Sequence, residues 1–113
     1  MSDTPILVVL CTVSSDQEGR TIAGALVERR QAACVNLIPR IRSIFRWKGK
    51  VCDEEEGLLI VKTTPAMLEN VRQTIRDLHS YDLPEILALP VAGGDSGYID
   101  WVAGEVGPQT GPS

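Results

Sequence analysis

The chain is poor in the groups from which familiar active sites are assembled. It has a single histidine, His79, and no arrangement in which a nucleophile, a base and an orienting group can be read together, so the sequence predicts no enzyme. An acid–base reading of Glu85, His79 and Tyr81 would require those groups to converge on a pocket. No phosphate loop or dinucleotide fingerprint occurs. The glycine-rich stretch Gly93-Gly94-Asp95-Ser96-Gly97 carries no lysine and reads as a turn. Cysteine is scarce and odd in number: Cys11, Cys34 and Cys52 cannot all pair within one chain. Without Cys-x-x-Cys spacing they exclude both a disulfide framework and a dedicated structural zinc site. Reduced thiols are expected.

Positive charge is also in deficit. Against 15 Asp and Glu stand 11 Lys and Arg, a net charge of −4, which excludes a general nucleic-acid binder. The one basic cluster, Arg40, Arg42, Arg46, Lys48 and Lys50, is followed by Asp53, Glu54, Glu55 and Glu56, as in a cross-strand charge ladder. No apolar run reaches the ~18–20 residues that cross a bilayer. Residues 1–4 are expected to be flexible and lack a basic start, so the sequence-based expectation is a soluble cytoplasmic protein with no membrane partner.

What the chain does have is three short segments that are apolar throughout: Ile6 to Cys11, Leu58 to Val61 and Ile86 to Leu89. They read as strands buried on both faces. Between them lie two helical patterns. The first starts at Ser15 with Glu18 three residues on, a capping box, and runs to about Arg30 with Ile22, Ala25 and Leu26 on its buried stripe. The second starts at Thr64-Pro65, threonine as cap and proline at the first helical position, buries Leu68, Val71, Ile75 and Leu78, and ends near His79. Residues 32–38 form a further strand, bent at Pro39, that continues as an arm in which Ile41, Ser43, Phe45 and Trp47 share one face. A two-residue loop at Lys48-Gly49 would set Trp47 opposite Lys50 and Arg42 opposite Glu55. A short last helix, capped near Asp95, carries Tyr98, Trp101 and Val102, and residues 106–113 are too poor in apolar groups to pack.

The order strand, helix, strand, strand, helix, strand predicts one α+β domain over residues 5–105. It is a ferredoxin-like (split βαβ) antiparallel sheet with both main helices on one face. The other face is left bare. A patch of that size marks an interface, and the cheapest cover is another copy of the chain. Phe45 and Trp47 on the arm and Trp101 on the last helix are the candidate interface residues.

Several fragments, taken in order, resemble the CutA divalent-ion tolerance proteins. They are Ala32-Ala33-Cys34-Val35-Asn36, Trp47-Lys48-Gly49-Lys50, Glu56 with Lys62-Thr63, His79-Ser80-Tyr81, Pro84-Glu85-Ile86, and Tyr98 with Trp101. The resemblance covers about residues 5 to 103. It implies a homotrimer, distantly similar in architecture to the PII signalling proteins, that binds copper or another divalent metal and serves the response to metal ions rather than a catalytic reaction. Relatives with a proposed copper site use a cysteine at the end of strand one and two adjacent histidines at the end of helix two. Cys11 and His79 match the cysteine and the second histidine, while Leu78 replaces the first. Gln31 stands where leucine is usual, and Ser80 where proline usually follows the histidine.

One thiolate and one imidazole are a soft pair suited to Cu(I), Cu(II) or Zn²⁺, but two ligands do not close a site. Tyr81, Glu85, water or a neighbouring protomer are the further candidates. Cys11 and His79 each have a plainer role, Cys11 as a core filler and His79 as a cation at a helix C-terminus, and Lys62 reads either as a salt-bridge partner of Glu56 or Glu85 or as an anion binder. The alternative function is a PII-like trimer that binds a small anionic ligand between subunits and reports it to a protein partner.

Overall fold

The computed structural model describes residues 5–107; the flexible start expected over 1–4 and most of the tail expected over 106–113 lie outside the described residues. The elements follow in the order β1 (Leu7–Val13), α1 (Asp16–Glu28), β2 (Cys34–Trp47), β3 (Lys50–Thr63), a 3₁₀ turn at Pro65–Met67, α2 (Leu68–Leu78), β4 (Leu87–Pro90) and α3 (Ser96–Glu105). The strands form one antiparallel sheet in the order β2-β3-β1-β4. This is the split βαβ arrangement that the segment order implies.

The apolar strands bury alternate residues. Val9, Cys11 and Val13 of β1 and Leu59 and Val61 of β3 meet Ile22 and Leu26 of α1 and Val71 and Ile75 of α2 in a closed core. The intervening residues face the other way. Register sets Leu10 beside both Ile60 and Leu87, Val8 beside Leu89, and Leu58 beside Ile38, an apolar sheet face with no helix over most of it. Leu87 is 57% exposed and Leu89 49%. Strand β4 is therefore apolar in sequence and wet in the single chain.

Each element ends for a local reason. Ser15 accepts a hydrogen bond from the Glu18 amide at 3.1 Å while the Glu18 carboxylate takes the Ser14 amide at 3.0 Å, closing the N-terminus of α1. That helix stops at Glu28, two residues before the expected Arg30. Arg30 adopts φ 58°, and the Gln31 and Ala32 amides turn back to the Leu26 carbonyl. Thr64 makes no side-chain cap, because Pro65–Met67 winds as a 3₁₀ turn and the α-helical register begins beyond its reach. The last strand starts at Leu87 rather than at Glu85 or Ile86, since pairing with β1 begins at Leu10. Gly107 exchanges hydrogen bonds with Arg30, so the described chain stays tied to the domain past Glu105.

The arm is the most legible part. Lys48 and Gly49 both have positive φ, 52° and 80°, the two-residue turn whose twist matches the strands. The pairs are those the charges imply, Trp47 with Lys50 and Arg42 with Glu55, and the Arg42 guanidinium bonds diagonally to Asp53 at 3.2 Å. A bulge between Ile38 and Ile41, with Arg40 at φ 56°, bends β2 after Pro39. The arm stretches the molecule to 51 Å along its longest axis. Apolar groups stand on both sides of it: Phe45 and Trp47 on one face, Ile44 and Val51 on the other.

Candidate functional site

Strand β1 ends, α1 begins and α2 ends at one edge of the sheet, and the polar residues of all three meet there. His79 follows α2, and its side chain is fully buried. Its Nδ1 accepts the Tyr81 amide at 3.0 Å, so the proton resides on Nε2, which donates to the Thr12 carbonyl at 2.7 Å. The ring is a neutral strut between β1 and the loop after α2. The plainer role foreseen for it, a cation at the helix terminus, does not describe this geometry.

Cys11 lies next to Thr12 on the core side of β1 and is fully buried. Its thiol points at the same Thr12 carbonyl, at 3.5 Å. One oxygen thus accepts from both sequence-selected ligands. Burial pushes the thiol from 9.0 up to about 12, and the carboxylates of Glu85, Glu18 and Glu56 add to the effect in that order. At neutral pH the sulfur carries its proton.

Those carboxylates were not assembled by the sequence reading, which took Glu18 as a helix cap. Burial acts to raise the Glu18 carboxyl, but hydrogen bonds from Ser14 and Ser80 outweigh it and leave it below the usual range. Its Oε2 stands 3.7 Å from His79 Nδ1. Glu56, only 7% exposed at the base of the arm, accepts the Tyr81 hydroxyl at 2.6 Å. Burial first, and then Glu56, raises the Tyr81 phenol well above its usual range. The Tyr81 ring packs against His79 with centroids 4.7 Å apart. Glu85 is exposed. An open groove of about 440 Å³, lined in part by Ser14, Ser15, Arg40 and Glu56, leads from solvent to the Glu56 side of this cluster.

Of the metal candidates, Cys11, His79 and Tyr81 therefore come together, with Glu85 near enough to act on Cys11 through its charge. Among the described residues no group of three or more His, Cys, Asp and Glu side chains stands ready to hold an ion. Lys62 does not meet Glu56 or Glu85; it lies on the sheet face opposite α1 and α2, bonded to Asn36. Phe45, Trp47 and Trp101 are 40%, 48% and 46% exposed and belong to the arm and α3, away from the cluster.

A ferredoxin-like domain with a long two-stranded arm, one sheet face largely bare and a Cys–His–carboxylate cluster at the end of β1 defines a small α+β class. No helix among the described residues is long and apolar enough to cross a membrane. Comparison with known proteins names it. Residues 7–105 match the family model of the CutA1 divalent ion tolerance protein. The divalent-cation tolerance protein CutA of Thermus thermophilus is 49% identical over 100 residues, 88% of this chain and 97% of that protein. The chloroplastic CutA of Arabidopsis thaliana is 41% identical over 98 residues, and the chain spans about half of its length (54%). Among solved structures, the divalent cation tolerance protein of Thermus thermophilus superposes with a TM-score of 0.89 at 48% identity, covering 90% of this chain and 99% of that one. A protein from Archaeoglobus fulgidus, described as a periplasmic divalent cation tolerance protein, gives 0.87 at 36% identity, with 90% and 99% covered. The chain belongs to the CutA1 divalent ion tolerance family.

Proposed function

We propose that this protein is a homotrimeric, cytoplasmic binder of copper-type divalent ions that serves metal tolerance and carries out no catalytic reaction of its own. The observation that supports the metal site most directly is the convergence of the Cys11 thiol and the His79 Nε2–H on the Thr12 carbonyl oxygen. An ion that replaces those two protons gains a sulfur and an imidazole donor, with the carbonyl oxygen as a third. Such a set suits Cu or Zn²⁺. Glu18, Glu56 and Glu85 make the surroundings negative, which favours a cation and opposes the small anion of a PII-like ligand. With the Tyr81 hydroxyl committed to Glu56, Glu85 is the better of the two remaining donors.

The trimer is supported by two surfaces that a single chain leaves wet: the face carrying Leu10, Ile60, Leu87 and Leu89, and the arm with apolar groups on both sides. Copies of the chain covering both would bury Phe45, Trp47 and Trp101. The three unpaired cysteines suit a reducing compartment.

Titration calorimetry of the reduced protein with Zn²⁺ and Cu(II), in two buffers of different ionisation enthalpy, tests the site. Zn²⁺ is expected to release one proton per ion, from the Cys11 thiol, while His79 keeps one proton by moving it to Nδ1. Cys11→Ala and His79→Gln should each weaken binding at least tenfold. Binding unchanged in both variants would remove the assignment. Sedimentation at low concentration tests the assembly, and a folded monomer would overturn it.

A further inference from the structure

Cys34 opens β2, and its direct cross-strand partner on β3 is Lys62. Both project from the face opposite α1 and α2, with Asn36 two residues further along β2. The Lys62 ammonium donates to Asn36 Oδ1 and lies 3.9 Å from Cys34 Sγ in hydrogen-bonding geometry. Among the described residues it makes no salt bridge. Tyr98 of α3 flanks the same sulfur; burial, and then the Cys34 thiol, raises its phenol. A lysine ordinarily carries its charge into water on a flexible stem. Here the amine is half-buried and held beside a half-buried sulfur.

No second cysteine can resolve an oxidised Cys34 within this chain. Cys11 points into the core on the other side of the sheet, and Cys52 lies ten residues from Lys62 along the arm. The group in reach is nitrogen. We propose that Cys34 and Lys62 form a hydroperoxide-responsive pair, in which oxidised Cys34 is captured by the Lys62 amine as a cross-strand sulfenamide.

The Cys34 thiolate attacks one peroxide oxygen, the O–O bond breaks, and sulfenic acid and hydroxide form. Hydroxide takes a proton from the Lys62 ammonium and becomes water. The freed amine lone pair then attacks the sulfenic sulfur, an S–N bond forms, and the S–OH oxygen leaves as a second water with the amine proton. Sulfur is oxidised by two electrons and the peroxide is reduced. A dithiol reductant reverses the link by thiolate attack at sulfur. The product staples β2 to β3 at the end of the sheet remote from the arm.

The test uses the full chain treated with a small excess of hydrogen peroxide, alkylated and digested with trypsin. The expected product joins peptide Gln31–Arg40 to Val51–Arg72, uncut after Lys62 and two hydrogens lighter than the two peptides together. It disappears on treatment with dithiothreitol and is absent from Cys34→Ser. In Lys62→Arg, which keeps the charge, Cys34 is expected to stop at sulfenic acid, trapped by dimedone, or to proceed to sulfinic acid. Wild-type protein whose Cys34 behaves as in Lys62→Arg, or stays unoxidised, with Lys62 cut normally, would overturn the proposal.

Discussion

Replacing His79 by alanine separates a structural role from a ligand role, because the imidazole holds two backbone groups of distant segments even when no metal is present. Its loss leaves the Tyr81 amide without its partner and the Thr12 carbonyl with only the long Cys11 thiol contact, in a region where the His79 side chain is fully buried. An unsatisfied buried group costs about 1–3 kcal/mol and a lost hydrogen bond about 0.5–1.5 kcal/mol, so the two together cost about 1.5–4.5 kcal/mol before any cavity is counted. His79→Gln offers an amide N–H at the position of Nε2. It is expected to restore the Thr12 bond and that bond's share of the loss. Urea unfolding with chelator present, at one fixed protein concentration, reads the difference as a shift in midpoint, since unfolding of an oligomer depends on concentration. If alanine and glutamine variants both unfolded within about 0.5 kcal/mol of wild type, the strut described here would not exist in solution.

Two further outcomes follow from the same cluster. The raised Cys11 thiol stabilises the protein while both folded and unfolded states are protonated, so its contribution is intact below pH 9 and is lost as the pH climbs from 9.0 towards about 12. The separation corresponds to at most about 4 kcal/mol; Cys11→Ala should flatten that alkaline limb, and an identical limb in the variant would refute it. Tyr81→Phe removes the 2.6 Å bond to Glu56 and should cost about 1.5–3 kcal/mol. A double-mutant cycle with Glu56→Gln should recover a coupling of about 1 kcal/mol or more, and a coupling near zero would show the pair to be incidental.

Local features carried much of the fold in the sequence. Lys48-Gly49 specified a tight turn, and alternating charges on either side of it specified the pairing of Arg42 with Glu55. The Ser15–Glu18 box marked where α1 begins, and the apolar period marked which helix faces are buried. The order of these elements was then enough for the split βαβ sheet. Contacts between residues far apart in the chain were not legible, because neither period nor spacing encodes them. His79 and Thr12 are 67 positions apart, Glu18 and Ser80 62, and Tyr81 and Glu56 25. Cys11 and His79 could be selected by resemblance, yet nothing in their spacing placed both protons on one carbonyl oxygen. The partner of Lys62 was misjudged for a related reason: Glu56 stands six positions back along β3, about 20 Å at strand rise, and Glu85 lies outside the strand, while Asn36 and Cys34 sit beside Lys62 on the neighbouring strand.

The arm has a geometric consequence for how its length can change. Strand residues alternate sides with a period of two, so inserting a single residue in each strand at the base of the arm, near the Ile41–Glu56 pair, would swap Trp47 and Phe45 with Ile44 and Arg46 in what they present to a neighbour. Only insertions in steps of two per strand keep the pattern, each step lengthening the reach by about 6.6–6.8 Å. The hairpin therefore behaves as a ruler graduated in dipeptides, and its span can be reset without redrawing the body that carries it.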